Sequence, residues 1–69
     1  MSMTTTQQLI QRNIEDAVYY KRNGWDSASD YCFNQAVLIA GNDRENVRFM
    51  EICAFICVLR WMQAETANG

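Results

Sequence analysis

Apolar residues along the chain recur at helical spacing in three stretches, separated by two short polar breaks. In the first stretch Ile10, Ile14, Ala17 and Val18 share one side of a 3.6-residue wheel. Leu9 and Tyr20 widen that stripe on one flank, and Tyr19 points the other way. Thr4 or Thr5 can accept a bond from a free backbone N–H, and Gln7 or Gln8 three positions later completes a capping box, so a helix is predicted over about 4–23. Lys21 and Arg22 sit where a helix C-terminus favours positive charge, and Gly24 suits the left-handed residue that closes it.

The second stretch predicts a helix over about 27–41, capped by Asp26 or Ser27, with Ser27 and Asp30 at capping-box spacing. Ala28, Cys32, Ala36 and Ile39 make a stripe of mostly small side chains that lets a neighbouring helix come close. Phe33, Val37 and Ala40 lie to one side of it, Tyr31 and Leu38 to the other. With apolar surface over most of its circumference, this helix is expected to be the most enclosed element.

The third helix is predicted over about 43–65, opening at Asn42 or Asp43 with Glu45 at the box position for Asn42. Phe49, Ile52, Cys53, Ile56 and Leu59 form its principal stripe, while Met50, Ala54, Phe55, Cys57, Val58, Trp61 and Met62 fill nearly every other direction. Residues 1–3 and 66–69 are expected to fray around a single helical domain spanning 1–69.

Three short helices cannot hide that much apolar surface from water. Leaving several large side chains exposed forfeits a few kcal/mol at about 25 cal/mol per Å² of apolar area, comparable with the stability of a small domain. A symmetric copy is the simplest cover, so the expected fold is all-α, an intertwined helical homodimer. Its shared core is expected to hold Cys32, Ile39, Phe49, Ile52, Cys53, Phe55, Ile56 and Leu59. Aspartate at Phe55 or Ile56 is then expected to unfold the chain.

Charge and chemistry narrow the function classes. Eight acidic residues against six basic ones give a net charge of −2, without the broad basic footprint of a nucleic-acid binder. The second and third helices could be taken for a DNA-binding pair led by Arg44 and Arg48, but recognition helices present polar groups to base edges and the third helix is strongly apolar. A dimeric DNA-associated regulator, using those arginines or Lys21 and Arg22, is the alternative reading. The first residues lack a basic start and an apolar run, and the unbroken apolar stretch Ile52 to Leu59 is far shorter than the roughly 20 residues of a membrane span. The expected setting is the cytoplasm, with no membrane.

The chain contains no histidine, so Cys53 and Cys57, four apart on one helix face, have only Cys32 as a third thiol. Neither a metal nor a cofactor is expected, and the three thiols read as small buried hydrophobes. The adjacent carboxylates Glu15 and Asp16 read as solvated charges beside Arg12, and no phosphate loop or nucleophile motif appears, so no catalytic residue is expected. Tyr20, Gly24, Ala28, Cys32 and Ala36 echo a tetratricopeptide hairpin, but Ala28 and Ala36 stand eight apart where that repeat needs seven. Tyr19, Tyr20, Trp25 and Trp61 are the candidate partner surface, since Tyr and Trp anchor many binding hot spots. The competing reading is that they close the ends of the core.

The run QRNIEDAVYYKRNGWDSASDYCFNQAVLIAGN, followed by EICAFICVLRWMQ, resembles the small helical open-reading-frame proteins of the exo-xis early region of lambdoid bacteriophages. The resemblance covers most of the chain as a whole and rests on no short motif, so it carries no functional residue across. It implies a phage early protein made in the bacterial cytoplasm, a helical dimer, and a part in host physiology or the lysis-lysogeny decision; the expected partner beyond the second copy is an unidentified host protein.

Overall fold

The computed structural model describes residues 2–68, and all regular structure among them is helical: α1 (Thr5–Arg22), α2 (Asp26–Ala40) and α3 (Arg44–Asn68). No helix among the described residues is long and apolar enough to cross a membrane. Each boundary has a local cause. At the start of α1 the Gln7 N–H donates to Thr4 Oγ1 at 3.1 Å while the Thr4 N–H donates to Gln7 Oε1 at 3.0 Å, the reciprocal pairing that the sequence predicts. At its end Gly24 takes φ +77°, the Gly24 N–H reaches the Lys21 carbonyl and the Trp25 N–H reaches the Tyr20 carbonyl. These two bonds make a Schellman ending, whose usual companion is an apolar contact between the same two outer residues. Here that contact is Tyr20 against Trp25, with ring centroids 5.7 Å apart.

The Schellman turn starts α2 one residue earlier than the capping residues suggest. Trp25 holds the N-cap position without a side-chain bond, and Asp26 lies inside the first turn, 3.2 Å from Lys21 Nζ. Gly41, at φ +60°, ends α2, and the Asp43 carboxylate then opens α3 by accepting the N–H groups of Glu45 (2.9 Å) and Asn46 (3.3 Å). α3 continues past the expected end at residue 65. Thr66 Oγ1 donates to the Met62 carbonyl at 2.9 Å and Trp61 Nε1 donates to Glu65 Oε1 at 2.6 Å, while no proline or glycine interrupts the turn before Asn68. Of the ends expected to fray, Met1 and Gly69 lie outside the described residues.

α1, not α2, is the central element. Both other helices pack on it and touch each other much less. Ile10 and Ile14 are the large side chains fully removed from water, and Ala36, Ala40 and Met50 close around them. The buried stripe of α2 is Ser29, Ala36 and Ala40, rotated from the predicted stripe so that Ala28 and Cys32 sit at its margin. The rotation has a polar cause: Ser29 Oγ donates to the Ala17 carbonyl at 2.7 Å across the α1–α2 contact, and its small side chain admits the close approach. Turning Ser29 inward leaves Tyr31 and Leu38 on the outside, Leu38 at 72% exposure, so α2 is not enclosed.

Ser29→Ala should destabilise the chain by about 1 kcal/mol, the net worth of one buried hydrogen bond. Ser29→Val should cost more, because the extra methyls also prise α2 from α1. Urea unfolding at one fixed chain concentration measures both. Equal midpoints for wild type and Ser29→Ala would show that the bond contributes nothing.

Candidate interaction surface

α3 sorts its side chains by size. Met50 is buried against α1, and Cys53, Ala54, Cys57, Trp61 and Ala64 are half-buried along the same side. Beyond Val47, Phe49 and Met50, which lie in or against the core, small residues fill that side as far as Trp61. The bulk of the apolar volume consequently points away: Ile52, Phe55, Ile56, Leu59 and Met62 are all exposed, Phe55 at 65%.

The residues expected in a dimer core therefore fall into two groups. Cys32, Ile39, Phe49 and Cys53 are half-buried within one chain, with Ile39, Phe49 and Cys53 lying against its core. Ile52, Phe55, Ile56 and Leu59 form a separate outward ridge. Phe55 therefore stands outside the Ile10 and Ile14 core of the single chain. Met50, the α3 residue most removed from water, is missing from the principal stripe because a helix apolar on nearly all sides gives a wheel no means of choosing among them.

The chain exposes 5388 Å² in total. A compact monomer of this mass exposes about 4,450 Å², which leaves an excess of about 900 Å². Shape accounts for it. The molecule measures 39 × 29 × 16 Å, a slab whose long edge matches α3.

Because α2 and α3 diverge over α1, they leave an open cleft of about 260 Å³. Ala17 and Val18 of α1 form its floor, Phe33 of α2 one wall, and Val58 and Trp61 of α3 the other. Lys21 and Asp30 stand at its rim. The lining is mostly apolar, and the hydroxyl of Ser29 within it is held by the Ala17 carbonyl, so its surface is suited to packing.

The four candidate aromatics separate. Tyr19, Tyr20 and Trp25 form a run at the α1–α2 turn, where Tyr19 meets Tyr20 edge-on at 5.7 Å. Tyr20 and Trp25 have a local task in ending α1, whereas Tyr19 stays 58% exposed with no such task. Trp61 lies on α3, with the Arg22 guanidinium 6.0 Å from its ring centre. The cations are dispersed: Lys21 pairs with Asp26, Arg22 lies over Trp61, and Arg44 and Arg48 share a shallow hollow with Glu51.

Among the described residues no three metal-ligating side chains gather at one point. All three thiols are free, and burial pushes each above its ordinary pKa. Negative neighbours add to the shift: Asp16 for Cys32, Cys57 and then Glu15 for Cys53, and Glu15 for Cys57, where Arg60 opposes it. A raised thiol pKa means that the fold favours the protonated form. That contribution is complete below the unfolded thiol pKa of about 8.5 and is lost as pH climbs through the folded value. Urea unfolding at pH 7 and pH 10 should show lower stability at pH 10, with a smaller loss in a Cys53→Ala, Cys57→Ala double variant. An identical loss in that variant would remove the thiols from the account.

Comparison with protein-family models, with curated proteins and with solved structures returns no match to this chain.

Proposed function

We propose that the chain is a non-enzymatic protein-interaction module that works as a homodimer. One observation carries this reading: the outer face of α3, where Ile52, Phe55, Ile56, Leu59 and Met62 stand in water on a single helix. Fully burying an exposed side chain of this kind is worth roughly 1.5–3 kcal/mol, and these residues, 39–65% exposed, have about half of that still to gain, so a ridge of them favours association. A contiguous apolar face of this kind marks an interaction site more often than incidental exposure does.

The resemblance to phage early proteins supplies the setting of the proposal. In that setting the dimer forms in a bacterial cytoplasm and hinders a host regulator by steric contact, thereby influencing host physiology or the lysis-lysogeny decision. Tyr19, exposed and free of a capping task, is the anchor we assign to that second partner.

Two measurements address the two parts. Sedimentation equilibrium at micromolar concentration should give about twice the 8.0 kDa chain mass. A single-chain mass throughout would remove the homodimer. Capture from bacterial lysate should retain a host protein that Tyr19→Ala fails to hold, and retention that ignores Tyr19 would dismiss that anchor.

A further inference from the structure

The cleft and the ridge lie side by side on α3, and their residues alternate. Each α3 residue on the cleft side is followed directly by a ridge residue: Ala54 by Phe55, Val58 by Leu59, Trp61 by Met62. One position along a helix is a rotation of about 100°, so the ridge forms the shoulder of the cleft's own wall. A concave apolar surface and a convex one, adjacent on the same element, can satisfy each other through one twofold operation. We infer that the cleft and the ridge form a single isologous interface, in which Phe55, Leu59 and Met62 of one copy fill the cleft of a second copy over Val18.

The areas admit a second copy as the occupant. The broad side of the slab, 39 × 29 Å, is large enough for the roughly 800 Å² that each partner contributes to a standard stable interface. The cleft, about 260 Å³, lies below the roughly 300–1,000 Å³ usual for small-molecule pockets. Its open, apolar walls suit protruding side chains better than a polar ligand. Near the cleft, Lys21 is already paired with Asp26, and its rim charges Lys21 and Asp30 are of opposite sign, so no net charge calls for a charged partner.

This inference rests on the proposed self-association and adds the face through which it occurs. Phe55→Asp on the ridge and Val58→Asp on the cleft wall should each raise the dimer dissociation constant by about thirtyfold or more, as loss of an interface hot spot does. Both variants should keep the helical circular dichroism of the wild type, because neither residue belongs to the single-chain core. Leu38→Asp, on the outer side of α2, should remain dimeric. Hydroxyl-radical footprinting of the unaltered chain gives a second readout that no folding defect can confuse. On dilution through the dissociation range Phe33 and Trp61 should gain labelling while Leu38 does not. A dimer that survives Val58→Asp, or one whose Phe33 and Trp61 labelling ignores dilution, overturns this interface while leaving self-association standing. A wild-type chain that is monomeric throughout overturns both.

Discussion

The contact that fixes the rest of the molecule is the close approach of α2 to α1 through Ser29, Ala36 and Ala40. Small side chains let the two backbones come together, and the hydroxyl of Ser29 sets the rotation by reaching the Ala17 carbonyl. Once α2 is seated that way, Ile10 and Ile14 must be closed off by the beginning of α3, which supplies Met50. Little room remains for further large residues. Beyond Ile10, Ile14 and Met50 the interior is therefore alanines and a serine, while Phe55, Leu38 and Ile52 stand outside.

That distribution explains how far the sequence could be read. Helix boundaries depend on single residues with specific chemistry, and Thr4, Gly24, Gly41 and Asp43 each do in the structure what their side chain or its absence suggests. The α1 stripe is legible too, because polar residues clearly mark its opposite face. The facing of α2 and α3 is not legible, since both are apolar around most of their circumference and a wheel returns no preferred direction. Ser29 holds the answer for α2, but a serine among alanines looks like a surface residue until the carbonyl it meets is known. The dual position of Trp25 is hidden for a related reason: it closes α1 by packing on Tyr20 and opens α2 without any capping side chain, so composition alone assigns it to neither role.

The chemistry of the surface follows from the same packing. With α1 at the centre, its polar side carries Glu15 toward Cys53 and Cys57, and the burial of those thiols keeps them protonated. The protonated form is the poorer nucleophile and the poorer metal ligand, and Cys53 and Cys57 lie where they pack against or beside the core. Near the cleft, Lys21 is held by Asp26 and the Arg22 guanidinium lies over Trp61. What the surface offers in quantity is hydrocarbon, and hydrocarbon recognises shape.

Shape recognition by a helix with two different faces has a consequence for how two partners could share so small a chain. A face that is apolar at its centre and bordered by Glu51 and Arg60 resembles the interior of a permanent assembly, since transient interfaces are about as polar as the remaining surface. If a second copy occupies the α3 ridge continuously, the ridge is withdrawn from any other partner. Binding of a different protein would then fall to surface that pairing leaves open, such as the corner of α1 formed by Tyr19, Arg22 and Asn23. Tyr19 suits that division, because it is 58% exposed and, unlike Trp25, takes no part in ending α1. Two copies would present two such anchors, and doubling a weak contact through a fixed spacing raises avidity without enlarging either surface.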